Sequence, residues 1–331
     1  MRVLVTGGAG YIGSVVSAQL ITAGHEVVVV DDLSTGHADA VPPGAEFHQL
    51  AIADLSDALG GWGIDAVIHF AAKSVVAESV RDPAGYWHCN VGGTLALLDA
   101  MRANGVLKIV FSSTAATYGD ASENPIPESA ATRPTSPYGA SKLAIDLALA
   151  NYSRAYDLAA ISLRYFNVAG ALVTGEHQGY GERHAVETHL VPLALRAAQD
   201  EGGSLSLYGT DYPTPDGTCV RDYIHVVDLA EAHLRALQVG DSGRHEIVNL
   251  GSGAGSSVRE VIDTVRQVTG QDLTVHEAPR RPGDPATLVA ANDRAASLLG
   301  WRPIRGLDQM ISDAWMLTNT SASPGREKCP P

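Results

Sequence analysis

The first 32 residues constrain this chain more than any other stretch. Residues 2–6 (RVLVT) have the composition of a short buried strand, and Gly7-Gly8-Ala9-Gly10-Tyr11-Ile12-Gly13 is a glycine-rich turn. Residues 14–23 carry apolar side chains at helical spacing, Gly24-His25 breaks the run, and residues 26–30 form a second strand that ends at Asp31-Asp32. Strand, glycine turn, helix, strand and acid, in that order, are the pattern of a dinucleotide-binding βαβ unit.

Each part has a physical job. The early glycines allow a tight turn with no Cβ between backbone and ligand. The helix start offers unpaired N–H groups and a positive dipole end to a pyrophosphate. Gly13 lets helix and strand pack closely, and Asp31 is placed to accept hydrogen bonds from ribose hydroxyls. A carboxylate there repels a 2′-phosphate, so NAD is expected over NADP. The glycines fit two registers, Gly8-Gly10-Gly13 or Gly7-Gly10-Gly13, and spacing alone does not choose between them.

The rest of the chain continues the alternation. Strands are expected at 46–50, 66–70, 109–113 and 159–165, with helices at 84–104 and 138–155. That order predicts an α/β fold, a Rossmann-like doubly wound parallel sheet with a smaller C-terminal α/β substrate domain. The expected partition is 1–168 for the cofactor domain and 169–317 for the substrate domain, with 218–240 returning to the first. Residues 171–187 read as a loop. Beyond it, 190–199, a stretch within 221–237, 258–268 and 293–299 read as helices, and 204–208, 247–250 and 273–277 as strands. From 318 to 331 the composition turns polar and predicts a disordered tail.

Composition narrows the partners. With a formal net charge of -14, nucleic acid and anionic membranes are poor partners. The hydrophobic content of 45% is ample for a core. Cys89, Cys219 and Cys329 are too scattered for a disulfide framework. No signal peptide and no membrane-length apolar run is visible, so a cytoplasmic protein is expected.

A second signal lies in Ser136-Pro137-Tyr138-Gly139-Ala140-Ser141-Lys142. Ser136 is a good N-cap and Pro137 a good first helical residue, which sets Tyr138 in the first turn. Tyr138 and Lys142 then share a helix face. An ammonium and a helix N-terminus both favour a phenolate, a usable proton acceptor for an alcohol. Ser112, Ser113 and Thr114, at the end of the preceding strand, are candidates to hydrogen-bond the same alcohol.

The glycine turn together with Tyr138-x-x-x-Lys142 resembles the extended short-chain dehydrogenase/reductase family. Several further stretches are similar to its UDP-sugar 4-epimerising members: His69-Phe70-Ala71-Ala72-Lys73, residues 112–119, Arg164-Tyr165-Phe166-Asn167, residues 208–214, residues 220–226 and residues 280–284. The likeness spans about residues 1 to 317. It implies reversible 4-epimerisation of a UDP-hexose, UDP-galactose to UDP-glucose, with Tyr138 as base, Thr114 on the reacting oxygen and Lys142 tuning Tyr138 and holding the ribose. By position it assigns Gly7, Gly10, Tyr11, Ile12, Gly13, Asp31, Asp32, Leu33, Ser34, Thr35, Gly36, Asp54, Leu55, Phe70, Ala71, Ala72, Lys73, Asn90, Tyr138, Lys142 and Phe166 to NAD. It assigns Thr114, Asn167, His189, Leu190, Tyr208, Arg221, Tyr223, Arg281 and Asp284 to the UDP-sugar, and a homodimer is expected.

Arg221 and Arg281 suit a diphosphate; the alternative is structural pairing with Asp222 and Asp284. Tyr208 is a candidate to stack on uracil or to sit in the core. Three positions depart from the family's pattern. In some members the lysine falls at Ser74 rather than Lys73, and others carry asparagine at His189. Leu288 stands where some carry a bulky tyrosine, which implies room for a 2-acetamido group. The histidines, His184 and His189 included, show no closing cluster in the sequence, so no metal is expected.

A related 4,6-dehydratase needs an acid–base pair after Thr114, and Ala115-Ala116 has no proton to give. The open alternatives are a 4-epimerase of another UDP-sugar (UDP-N-acetylhexosamine, UDP-glucuronate or UDP-pentose) and a non-catalytic NAD-sensing binding protein.

Overall fold

The computed structural model describes residues 1–55, 58–175, 178–200, 203–281 and 283–318; the expected tail at 319–331 lies outside them. The chain opens with β1 (Arg2–Thr6), α1 (Tyr11–Thr22), β2 (Glu26–Asp31), β3 (Glu46–Gln49), β4 (Ala66–His69), α2 (Val76–Arg81) and α3 (Pro83–Tyr86). A π-helical turn, Trp87–Gly92, leads into α4 (Gly93–Ala103), followed by β5 (Lys108–Thr114), α5 (Pro137–Tyr156) and β6 (Ala159–Tyr165). The single helix expected over 84–104 is therefore broken by the wider turn, and Asn90 sits in the break.

Next come β7 (Asn167–Ala169), β8 (Leu172–Gly175), β9 (Gln178–Tyr180), α6 (Leu190–Gln199), β10 (Ser204–Tyr208), β11 (Val220–Arg221), β12 (Tyr223–His225) and α7 (Val226–Ala236). The chain closes with β13 (His245–Leu250), β14 (Ser256–Ser257), α8 (Val258–Thr269), β15 (Thr274–Ala278), β16 (Thr287–Leu288), α9 (Asp293–Leu299) and α10 (Leu307–Thr318). Among the described residues of the expected loop at 171–187, β8 and β9 pair antiparallel. Helix α10 was not among the expected elements.

Seven parallel strands form the main sheet in the order β13-β6-β5-β4-β1-β2-β3. The order reverses between β1 and β4, the switch point at which ligands bind beyond the strand C-termini. β1 and β4 are apolar and buried on both faces, as a sheet covered by two helix layers requires. One core packs α1, α7 and α9 on the sheet and the other packs α4 and α5. Both α7 and β13 belong to this sheet layer, so the chain returns to it beyond residue 240, through β13 and again at α9. The reason is a strand: β13 satisfies the edge of β6 over six residue pairs, from His245↔Ala160 to Leu250↔Tyr165.

A smaller core gathers Val191, Leu195, Leu207, Tyr223, Val261, Val265 and Met310 from α6, β10, β12, α8 and α10. Local chemistry sets its helix ends: Ser257 and Glu260 make a reciprocal capping box on α8, and Gly270 closes that helix at φ +66°. Among the described residues no helix is long and apolar enough to cross a membrane.

Burial leaves two histidines of the main layer neutral. Burial pushes His69 down to about 3 and His233 down to about 4. The unfolded chain takes up these protons near pH 6.5 and the folded chain does not, so stability present above that pH is lost as pH falls toward 4 and 3. Each histidine adds a slope of at most about 1.4 kcal/mol per pH unit. Thermal midpoints recorded from pH 7 to pH 4 should fall steadily, and His233→Gln should make the fall shallower. An unchanged slope in that variant would remove His233 from the account.

Candidate active site

The glycine turn lies at the switch point. Gly7 holds φ +72°, and a Cβ there would stand 2.6 Å from the Ala71 amide nitrogen, so the backbone after β4 crosses directly over the backbone after β1. A Cβ on Gly13 would meet the Gly7 carbonyl oxygen at 2.2 Å, which is how α1 comes so close to β1. The cap residue Gly10 has no side chain, and the first turn of α1 carries no acid, so the N–H groups of Tyr11, Ile12 and Gly13 are left for an anion.

Asp31 closes the other side. Its Oδ2 accepts from Ala9 N–H at 3.0 Å and its Oδ1 from Leu33 N–H at 2.9 Å, and burial raises its pKa. Each carboxylate oxygen keeps a lone pair for a ribose hydroxyl. Leu33 turns the chain at φ +61°, Asp32 accepts from Ser34 N–H at 2.9 Å, and the loop through Thr35 brings Gly36 to where a Cβ would press on Asp31 at 2.8 Å. A bare anion-ready helix end beside a fixed carboxylate fits a dinucleotide.

Other expected cofactor residues divide. Asp54 ends a short 3₁₀ turn, while the Leu55 side chain is sealed in the core, which leaves only its backbone for a ligand. The Phe70 ring packs on His233 at 4.8 Å between ring centres. Lys73 pairs with Glu78 at 3.0 Å, and its backbone, next to Ala72, is held at both ends by the Asn90 amide at 2.8 and 3.0 Å. Asn90 also donates to Ser141 Oγ at 3.1 Å, so its side chain is used in positioning.

The proton-transfer groups gather at the C-terminal end of β5. Ser136 caps α5 by accepting from Gly139 N–H at 3.1 Å, which sets Tyr138 in the first turn. Lys142, buried one turn on, donates to the Ser112 carbonyl at 2.8 Å and lies 4.8 Å from the Phe111 ring centre. Burial lowers its pKa to about 8. Burial also raises the Tyr138 phenol, against a hydrogen bond with Thr114 that works the other way. The expectation that Lys142 depresses the phenol is thus not met by the chain alone: the ammonium is engaged with Ser112, and the cost of burying a phenolate prevails.

Strand alternation sorts the three hydroxyls. Ser113 faces Asp146 of α5 at 3.2 Å, on the opposite face of the strand from Ser112 and Thr114, and Ser112 is taken by the Tyr165 hydroxyl. Thr114 accepts from Ala116 N–H at 3.1 Å and shares a hydrogen bond with the Tyr138 phenol. Of the three, Thr114 is the one that stands beside Tyr138.

In the second half, Asn167 is tied to the Asp222 carbonyl through both its backbone and side-chain nitrogens, at 3.0 and 3.1 Å. Arg221 pairs with Asp284 at 3.1 Å, not with Asp222, and the Arg281 guanidinium lies 3.9 Å from the Tyr208 ring centre. These contacts bring Tyr208, Arg221, Arg281 and Asp284 together. Phe166 is half-buried at the start of this half, and the Tyr223 ring sits in the smaller core, where burial pushes its pKa up to about 12. His189 is the N-cap of α6 and Leu190 its first residue; the His189 N–H is given to Glu187 Oε1 at 2.8 Å, and no side-chain hydrogen bond from His189 caps the turn that follows.

Where no closing cluster is expected around His184 and His189 from the sequence, the fold supplies one. Glu182 and Glu187 close a cluster around them, with one donor atom from each residue all within 4.8 Å of one another. The Glu-x-His-x-x-Glu-x-His spacing was the signal for it.

Residues 3–251 match the model of the NAD dependent epimerase/dehydratase family. The chain belongs to that family. Among its curated relatives, a UDP-glucose 4-epimerase of Streptomyces lividans is 54% identical over 319 residues, covering 95% of each chain. One of Corynebacterium glutamicum is 50% identical over 321 residues, covering 96% of each. The crystal structure of UDP-glucose 4-epimerase from Brucella ovis in complex with NAD matches at a TM-score of 0.90 and 45% identity, covering 95% of this chain and 97% of that one.

For this family member, the steric demand at Gly13 gives a direct test. Gly13→Ala must part α1 from β1, so the purified variant should lose most of its bound nicotinamide and unfold at lower temperature. Full cofactor content at an unchanged thermal midpoint would show that the turn tolerates the methyl group.

Proposed function

We propose that this chain catalyses the reversible 4-epimerisation of a UDP-hexose, interconverting UDP-galactose and UDP-glucose, at the site built from Tyr138, Thr114 and Lys142. The observation that carries the reading is their convergence at the end of β5, one strand from the backbone crossing of Gly7 and Ala71. When bound, NAD supplies the acceptor that takes the C4 hydride and returns it within the same turnover.

The chain's own residues do the rest. Tyr138 Oη takes the proton of the sugar 4-hydroxyl as C4 becomes a ketone, and gives it back when C4 is reduced from the other face. Thr114 donates to the reacting oxygen. Lys142 holds positive charge at the same place and has two N–H donors beyond the one given to Ser112 for the ribose hydroxyls. Asp31 and the start of α1 hold the remainder of the dinucleotide.

Arg221 and Arg281, with Asp284 orienting Arg221, and the backbone N–H of Leu190 would hold the diphosphate. Tyr208 carries the Arg281 guanidinium on one face and would offer its opposite face to uracil. Ala115 and Ala116, in the turn after Thr114, have no proton to transfer, which disfavours elimination of water. We further propose a cytoplasmic homodimer, supported by exposed Leu95 on α4 and Tyr156 on α5.

Purified protein given UDP-galactose without added NAD should form UDP-glucose. Tyr138→Phe should lower turnover by about 10²–10⁴-fold while nicotinamide content is retained. A protein that contains no nicotinamide and leaves the sugar unaltered would overturn the reading, and a Phe variant of near-normal rate would remove Tyr138 as base.

Leu288 pairs with Arg221 in the β11–β16 ladder, beside the proposed sugar site. A leucine there leaves room for a 2-acetamido group, so UDP-N-acetylglucosamine should also turn over. Leu288→Tyr should lower kcat/KM for the N-acetylated sugar relative to the plain one by roughly 10–100-fold. An unchanged ratio would free Leu288 of that role.

A further inference from the structure

Residues 181–189 form no helix or strand, yet they hold two nearly buried carboxylates. The Glu182 side chain is 8% exposed and the Glu187 side chain 3%. Burying two carboxylates in irregular chain demands compensating positive charge. The groups facing them are two imidazoles, both turned the same way. His184 Nδ1 stands 3.1 Å from Glu182 Oε1 and 3.4 Å from Glu187 Oε2. His189 Nδ1 stands 2.5 Å from the same Glu182 oxygen and 3.5 Å from Glu187 Oε1.

We propose that Glu182, His184, Glu187 and His189 form a four-coordinate site for a divalent transition-metal ion of the zinc class. Two nitrogens and two carboxylates are a zinc-type donor set. Donors at about 2.0–2.1 Å from a tetrahedral ion stand about 3.3 Å apart; the separations to Glu182 Oε1 and Glu187 Oε2 are 2.5, 3.1 and 3.4 Å, and one donor atom from each of the four residues lies within 4.8 Å of the rest. Glu187 is also anchored from behind, since its Oε1 accepts from Thr188 N–H at 2.7 Å and His189 N–H at 2.8 Å. That leaves Oε2 for the ion and fixes the carboxylate's direction, the usual part of outer partners in metal sites.

Four protein ligands leave no open position, so the ion acts as a clamp and not as a Lewis acid for substrate. Its place gives the clamp a purpose. Arg183, inside the ligand loop, makes two hydrogen bonds of 2.8 Å to Asp39, and its carbonyl oxygen lies 2.9 Å from His37 Nε2. His37 and Asp39 follow the loop that wraps Asp31, while His189 is the cap of α6. One ion would thus fix the loop that joins the cofactor acid to the helix start proposed for the diphosphate.

The test uses the full-length protein with its nicotinamide, stripped by a chelator and reloaded with Zn²⁺ or Co²⁺. Elemental analysis should give about one ion per chain, the Co²⁺ form should show the intense visible bands of a tetrahedral ion, and the thermal midpoint should rise with free Zn²⁺. His184→Ala should abolish all three signals. His184→Cys keeps a donor, so it should bind Zn²⁺ and add a sulfur-to-cobalt charge-transfer band; far-UV circular dichroism reports whether either variant has folded. A wild-type chain that reloads no ion above background overturns the proposal and leaves a hydrogen-bonded ion cluster. So does a folded His184→Ala that holds as much metal as wild type. None of these readouts depends on turnover, so they stand or fall apart from the epimerase reading.

Discussion

Lys142, Asp146 and Arg164 are buried charges that hold α5 against β5 and β6. Lys142 donates to the strand carbonyl of Ser112, and Asp146, one turn further along α5, accepts from Arg164 on β6 at 2.7 Å and from Ser113 on β5. Arg164 also lies 4.9 Å from the Tyr118 ring centre. Removing one member of such a buried set leaves a charge without a partner, at a cost of about 3–5 kcal/mol. Apolar contacts would bind the helix as firmly but would let it slide or turn. The charged set fixes both rotation and register, and with them the direction of Tyr138.

The substrate half rests on a comparable knot. Asp222 is fully buried, and its carboxylate accepts from the backbone of Ser252 at 2.6 Å, Gly253 at 3.1 Å and Ala290 at 3.0 Å. Its carbonyl ties down Asn167. One acid therefore joins β7, β12 and two loops next to Arg221, which frees Arg221 to face Asp284 instead of its sequence neighbour.

What could be read from the sequence follows the range of the interactions. The βαβ unit was legible because its glycines, helix start and acid act within 32 residues. Tyr138 and Lys142 were legible because one helical turn fixes their relation. The break at Trp87–Gly92 was hidden, since an apolar helical run continues through it and the deviation serves Asn90, whose partners at 73 and 141 are remote. Helix α10 has Leu307, Met310, Ile311, Ala314 and Trp315 at helical spacing, but no capping signal separates it from the polar stretch that follows. The Tyr208–Arg281 stack and the Arg221–Asp284 pair join residues 73 and 63 apart, and tertiary packing alone sets them.

The path of the chain between layers has a consequence for how such proteins diversify. Because α7 covers α1 and β13 completes the sheet beyond β6, a fragment ending at residue 168 would expose an unpaired strand edge and an uncovered apolar helix face. The cofactor fold is not a detachable module. New substrate specificity has to arise by altering loops hung between fixed returns of the chain, not by exchanging one half for another.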